Sequence, residues 1–132
     1  MWHHFFSTAL VMILTALLIW LMKELFDRDR PFSTYPFIEK LSLGGGSSFP
    51  SGHTMETFAM AFAITRVFRI REVGILLFLW ASLVGYTRMA LGVHYPTDVA
   101  GGAILGMLSG FLIPVLYYKI VGRFSVRTLR DR

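Results

Sequence analysis

A chain of 132 residues has room for one domain, which we expect to occupy residues 1–132. Its composition is 55% hydrophobic and 16% charged, whereas soluble domains carry about 25% charged residues. So small and apolar a chain cannot cover its surface with polar groups, which excludes an ordinary soluble domain and favours a membrane protein. Without cysteine it has neither disulfides nor thiolate metal sites. The net charge of +5 does not indicate nucleic-acid binding, because the basic residues flank apolar segments.

Four apolar segments predict an all-α integral membrane bundle of about four transmembrane helices. The segments cover about residues 5–22, 54–70, 73–91 and 99–118. As helices, the first would be about 27 Å long and the last about 30 Å, close to the thickness of the hydrocarbon core. A signal peptide is the alternative for the first segment. However, no basic region precedes it and no small-residue cleavage site follows it, so we expect a retained span.

The last segment carries a glycine at every fourth position, at Gly102, Gly106 and Gly110. This spacing predicts a smooth stripe on one helix face, which lets a neighbouring helix approach closely. The stripe also offers a surface through which the chain could form a homo-oligomer.

The charged residues predict the orientation of the bundle. The turn between the second and third segments and the C-terminal tail together carry eight basic and two acidic residues, a net charge of +6. The remaining loops and helix ends carry five basic and six acidic residues, a net charge of −1. The positive-inside rule then places both termini in the cytoplasm and the loops at residues 23–53 and 88–98 outside the cell membrane.

The first polar motif on the outer side contains Lys23 and Arg30, followed by Pro31. If the first helix continued, residues seven apart would lie nearly above one another, and two cations on one face suit a ligand with two negative charges. Pro31 restricts Arg30 to extended geometry and closes the segment. The alternative is a lysine anchored at the membrane surface beside a loop of mixed charge.

The second motif is Pro50-Ser51-Gly52-His53, just before the second apolar segment. Ser51 or Gly52 can cap a helix that starts here, and the free N–H groups of a helix start bind phosphate. His53 falls in the first turn, where it could protonate a leaving oxygen. The alternative is an ordinary capped helix with a histidine at the membrane surface.

The third motif runs from Thr87-Arg88 to His94 and Asp98. Arg88 stands at the outer end of the third segment, where a charge needs a partner. His94 and Asp98 are four residues apart, and Pro96 favours a helix start between them. A carboxylate bonded to one ring nitrogen would raise the nucleophilicity of the other, as in a catalytic triad. The alternative is a structural His–Asp pair at the start of the fourth helix.

Taken together, the three motifs resemble the signature of the type-2 phosphatidic acid phosphatase superfamily. That signature is Lys, six residues, Arg-Pro; then Pro-Ser-Gly-His; then Ser-Arg, five residues, His, three residues, Asp. This chain has the same order and the same spacings from Lys23 to Asp98, with Thr87 in place of the serine. The threonine keeps the hydroxyl and adds a methyl group, so we expect a modest effect.

The resemblance implies a role for each matching residue. His94 would attack phosphorus and carry a phosphohistidine, Asp98 would orient His94, and His53 would be the general acid. The implied phosphate-binding residues are Lys23, Arg30, Arg88 and the backbone of Ser51 and Gly52. Three cations and a helix start would replace a metal, so no cofactor is expected and activity should persist in EDTA.

The implied substrate is a membrane lipid phosphate or diphosphate, such as undecaprenyl diphosphate, phosphatidylglycerol phosphate or phosphatidic acid. Members of this type usually have six spans, so a chain with four could be compact, truncated or one part of an assembly. A vanadate-dependent haloperoxidase shares the same constellation, but those proteins are soluble. A non-catalytic membrane bundle that binds lipid is the other alternative.

Overall fold

The computed structural model describes residues 2–42 and 45–130, with side chains up to residue 122. The described chain is all-helical and contains no strand, which confirms the expected fold class. The helices are α1 (Trp2–Phe26), α2 (Pro31–Thr34), α3 (Gly52–Phe68), α4 (Arg71–Ala90) and α5 (Pro96–Arg130).

Local sequence explains where several of these helices begin and end. Pro31 and Pro96 are the first residues of α2 and α5, because the proline ring fixes φ near its helical value and needs no N–H partner there. α1 ends at Phe26, and Asp27 follows with a φ of 35°. α3 ends at Phe68, and Arg69 follows with a φ of 55° that turns the chain, while its N–H still donates to the Thr65 carbonyl at 2.9 Å.

Three stretches of the described chain are long and apolar enough to cross a membrane. They are Trp2–Thr34, Arg71–Ala90 and Pro96–Gly122. The second predicted span, residues 54–70, corresponds to α3, which has 17 residues and carries Glu56 and Arg66. At about 26 Å it is the shortest of the four long helices. α3 instead lies inside the bundle and packs against α1, α4 and α5.

The glycine stripe of α5 faces α3. A Cβ added at Gly102 would lie 2.7 Å from the Ser51 carbonyl oxygen, and one at Gly110 would lie 2.6 Å from that of Ala59. Gly106 is similarly crowded by the Met55 carbonyl. The predicted close approach is therefore made within the chain. The stripe is covered by α3, so the idea that it offers a surface for self-association was wrong.

Apolar side chains lie both inside and outside the bundle. Val11, Ala59 and Ala63 form a buried cluster, against which Ile113 packs. Large side chains such as those of Trp20 and Trp80 remain about 60% exposed on the outer faces of α1 and α4. Apolar groups on the outside indicate that lipid surrounds this bundle, as expected for a membrane protein.

We predict that Gly106→Val destabilises the bundle, because the added side chain would meet the backbone of α3. Overpacking of this kind costs about 1–3 kcal/mol. The midpoint of thermal unfolding of the purified protein in detergent measures the effect. Gly122→Val is the control, since a Cβ at Gly122 has nothing within 4 Å. Equal shifts in the two variants would contradict the proposed packing.

Candidate active site

The three sequence motifs meet at one end of the bundle, around a cavity of about 240 Å³. The end of α1, the start of α3, the end of α4 and the loop before α5 all reach this cavity. Its lining includes two histidines, three cations and one carboxylate. The lining residues are Ile19, Lys23, Arg30, Gly45, Gly52, His53, Glu56, Arg88, Val93 and His94.

A tight turn after α4 brings His94 to the cavity. α4 ends at Ala90, and Gly92 then adopts a φ of 69°, which L-residues with side chains rarely tolerate. A Cβ at Gly92 would also lie 2.9 Å from the Glu39 carbonyl oxygen, so this turn packs against the loop between α2 and α3. His94 is 5% exposed and stands just before the start of α5.

His94 and Asp98 face each other through the first turn of α5. The distance from His94 Nδ1 to Asp98 Oδ2 is 3.7 Å, which is longer than a hydrogen bond. The Ser48 hydroxyl lies between them: it donates to Asp98 Oδ2 at 2.5 Å and lies 3.5 Å from His94 Nδ1. Ser48 therefore connects the ring to the carboxylate. Ser48 lies outside the three sequence motifs, and nothing in the sequence pointed to it.

Arg28 is the second residue that sequence reasoning missed. Its Nη1 donates to Asp98 Oδ1 at 2.7 Å and to the Thr97 hydroxyl at 2.8 Å. Its guanidinium also lies over the Tyr95 ring, 4.2 Å from the centroid. Asp98 is fully buried, so this cation compensates a charge that has no access to water. In the sequence Arg28 is one of several charged residues of both signs in the loop after the first apolar segment, and nothing distinguishes it from them.

Lys23 and Arg30 line the same cavity, although not for the helical reason that their spacing suggested. The helix does not continue between them: α1 ends at Phe26, and Arg30 is extended, with φ −84° and ψ 156°. The loop folds back instead, and Lys23 Nζ donates to the Ser47 carbonyl at 3.1 Å. The two cations converge on the cavity through this loop.

Backbone carbonyls hold the guanidinium of Arg30, a residue that is only 7% exposed. It donates to the carbonyl oxygens of Gly45 at 2.9 Å, Gly46 at 3.0 Å and Val93 at 3.3 Å. Arg30 thus links the loop before α3 to the turn that carries His94. The protein backbone thus fixes the position of this cation.

Arg88 differs from Arg30, because its Nε is buried and no hydrogen-bond partner for this atom is found among the described residues. A buried donor without a partner costs about 1–3 kcal/mol. An anion in the cavity would provide the missing acceptor.

His53 lies in the first turn of α3, just before the apolar segment 54–70. Burial and the nearby Arg88 guanidinium lower the pKa of its imidazole from the ordinary value, while the Glu56 carboxylate acts in the opposite direction. Glu56 is a third residue that the sequence did not single out. With Lys23, Arg30 and Arg88 opposed by this one carboxylate, the cavity keeps a net positive charge.

Ser51 and Gly52 are placed differently. Gly52 begins α3 and lines the cavity. Ser51 is fully buried: its N–H donates to the Asp98 carbonyl at 3.1 Å, and its hydroxyl bonds the Thr54 hydroxyl at 2.8 Å. The structure therefore brings Gly52, but not Ser51, to the place where a phosphate could bind. Ser51 holds the start of α3 against the start of α5.

Neither the cavity nor the other described parts of the chain group three or more His, Asp or Glu side chains as a metal would need. The adjacent residues His3 and His4 lie at the other end of α1. Their Nδ1 atoms contact the hydroxyls of Tyr117 at 3.2 Å and Tyr118 at 2.7 Å.

The fold and the cavity define a class: membrane-spanning helical bundles with a cationic site that carries two histidines. Residues 1–121 match the PAP2 superfamily, and the chain belongs to this family. It is therefore related to the lipid phosphatases that its motifs resembled.

Three relatives illustrate the match. The lipid A 4'-phosphatase of Bacteroides thetaiotaomicron is 36% identical over 100 residues, which cover 76% of this chain and 44% of the relative. The undecaprenyl-diphosphatase BcrC of Bacillus subtilis is 34% identical over 93 residues, which cover 70% and 47%. The crystal structure of a transmembrane PAP2-type phosphatidylglycerolphosphate phosphatase from Bacillus subtilis is similar with 34% identity and a TM-score of 0.72, over 86% of this chain and 58% of that one. The chain thus spans about half the length of these relatives.

We predict that Arg28→Met destabilises the protein, because it leaves the buried Asp98 carboxylate without its cation. Losing a hydrogen bond to a charged group costs about 1.5–3 kcal/mol, and this arginine is partly exposed, so we expect the lower end. Thermal unfolding in detergent measures the loss. Arg71→Met is the control, as Arg71 is exposed and has no ion pair among the described residues. Adding Asp98→Asn should relieve part of the loss; strictly additive effects would contradict a direct pairing.

Proposed function

We propose that this chain removes phosphate from a membrane lipid phosphate or diphosphate without a metal ion. The observation that carries the proposal is that His53, His94 and the cations Lys23, Arg30 and Arg88 line one cavity. Because phosphoryl transfer depends mainly on positioning and on stabilising negative charge, such a cavity has the groups that the reaction needs.

In this proposal the phosphoryl group sits among the three cations and the N–H groups at the start of α3. The buried Nε of Arg88 gains its acceptor there. His94 Nδ1 is engaged by Ser48 and Asp98, so Nε2 is the nitrogen that attacks phosphorus. The bond between phosphorus and the leaving oxygen breaks, and His53 donates a proton to that oxygen.

The second half of the reaction restores the enzyme. His53, now neutral, takes a proton from a water molecule, whose oxygen attacks phosphorus and breaks the bond to His94. Inorganic phosphate leaves, and His53 is protonated again. Asp98, paired with Arg28, orients the His94 ring and stabilises the positive charge on it through both steps.

The place of the cavity at one end of an apolar bundle favours a substrate whose phosphate lies at the membrane surface. The relatives are named for lipid A, undecaprenyl diphosphate and phosphatidylglycerol phosphate. These lipids and phosphatidic acid are the candidates. The distribution of basic residues supports a cell-membrane location with the cavity facing outward and both termini in the cytoplasm.

Phosphate release from these four lipids, measured with the purified protein in detergent, tests the proposal. We expect release from at least one of them, undiminished by EDTA. His94→Ala should lower the rate at least about 1,000-fold, as expected for loss of a nucleophile. His3→Ala is the control, because His3 lies at the opposite end of α1. A rate that EDTA abolishes, or that survives in His94→Ala, would refute the mechanism. An inert wild type would support a non-catalytic bundle.

The pH dependence of the rate gives a separate prediction about His53. The general acid must be protonated, so the rate falls as pH rises through the pKa of His53. Glu56 favours the protonated ring, and its removal in Glu56→Gln should lower the pKa of His53 further. The alkaline limb of the kcat profile should therefore move to lower pH, with the acid limb unchanged. Glu24→Gln is the control, since Glu24 is exposed and outside the cavity. An unmoved alkaline limb in Glu56→Gln would contradict the assignment.

A further inference from the structure

We propose a second anion site at the other end of the bundle, which takes the phosphate group of an anionic phospholipid. It is a cavity of about 600 Å³ between the start of α1, the end of α3 and the last third of α5. We call it the distal cavity. Its polar lining consists of His4, Ser7, Thr8, Arg66, Arg69 and Tyr118.

Ser7 provides a hydroxyl that has no hydrogen-bond partner among the described residues. The residue is 3% exposed and lines the distal cavity. Serine and threonine in helices often donate to the carbonyl four residues earlier, and Thr8 does so to His4 at 2.9 Å. No such bond, or any other, is found for the Ser7 hydroxyl among the described residues. Because Ser7 lines the distal cavity, this hydroxyl is available to a ligand there.

Two arginines give the distal cavity its charge. Arg66 and Arg69 come from the end of α3, and neither forms an ion pair with a described carboxylate. Arg66 lies over the Phe111 ring, 5.1 Å from the centroid. Both side chains are exposed, so they can reach a ligand that approaches from outside the bundle. The carbonyls at the end of α3 repel anions, so binding here depends on these two cations.

The hydroxyl of Tyr118 completes the polar lining. It lies 2.7 Å from His4 Nδ1, and this contact links α1 to α5 in the wall of the cavity. Hydroxyl and guanidinium donors around one space are the groups that bind phosphate oxygens.

The position of the distal cavity favours the headgroup of a phospholipid over free phosphate as its ligand. Arg66 follows His53 by 13 residues in α3, a rise of about 20 Å, so the two cavities lie near opposite surfaces of the bundle. The helices around the distal cavity carry exposed apolar side chains, including those of Phe5 and Leu116. A phospholipid can place its chains on these faces and its headgroup in the cavity. Free phosphate shares the headgroup chemistry but gains nothing from the apolar surface.

Lipid binding to the purified protein in neutral detergent tests this inference. The probes are dioctanoyl phosphatidylglycerol, its uncharged analogue dioctanoylglycerol, and inorganic phosphate, with binding followed by native mass spectrometry. We expect phosphatidylglycerol to bind and the uncharged analogue not to bind. In Arg66→Gln/Arg69→Gln the affinity should fall at least about tenfold, and in Ser7→Val by several-fold, as expected for lost bonds to a charged group.

Two controls separate the distal cavity from general charge and from the catalytic cavity. Arg71→Gln removes an arginine two residues beyond Arg69 and outside the cavity, and should bind phosphatidylglycerol as the wild type does. Arg88→Gln alters only the catalytic cavity and should also leave this binding intact. Inorganic phosphate that competes at millimolar concentration would support a phosphate site filled from solution. Unchanged binding in Arg66→Gln/Arg69→Gln, or an equal loss in either control, would overturn the inference.

Discussion

The bonds of the buried Asp98 carboxylate are the interactions on which the cavity of the proposed active site depends. One oxygen pairs with Arg28, from the loop after α1. The other accepts from Ser48, before α3, and from the Tyr95 N–H at 2.9 Å, before α5. The Asp98 backbone carbonyl accepts from Ser51, at the start of α3. A charge with no access to water must have all its partners in place, so one side chain fixes three chain segments together.

This arrangement requires α5 and α3 to lie very close. Gly102 lies one turn beyond Asp98 in α5. It allows the close approach of α3, because any side chain at this position would collide with the Ser51 carbonyl. Further along α5 the stripe continues the same close contact. The packing of two apolar helices therefore determines how the polar residues at their ends meet. The catalytic geometry that we propose is thus a consequence of helix packing as much as of the loops.

The cations of the site are prepared for a ligand in two different ways. Arg30 is fixed by carbonyl groups of the loop, so it can present charge at a constant position. Arg88 instead has a buried Nε without a described partner. A site that is organised before the ligand arrives loses little free energy in reorganisation during the reaction. An anion in the cavity could accept a hydrogen bond from the Arg88 Nε–H, which favours an anion over water alone.

Sequence alone determined the parts of this protein that depend on local spacing and composition. Segment length and apolarity predicted the helices, and a separation of four residues across Pro96 placed His94 beside Asp98. The motif residues Lys23, Arg30, Gly52, His53 and Arg88 also proved to share one cavity. Spacing could predict the helices and the His94–Asp98 neighbourhood because helix geometry repeats within a few residues, whereas the shared cavity was implied by the resemblance of the three motifs to a known signature.

Only the tertiary structure decided the contacts between distant segments. Arg28 and Asp98 are 70 positions apart and Ser48 and Asp98 are 50 apart, and no local pattern marks either pair. Ser51 turned inward, while its neighbour Gly52 faces the cavity, because the N–H of Ser51 meets the Asp98 carbonyl. The glycine stripe predicted a close helix–helix contact, but it did not predict that α3 would be the neighbouring helix. Such choices depend on how whole helices pack, since long-range partners are selected by the shape of the assembled bundle and not by their own sequence.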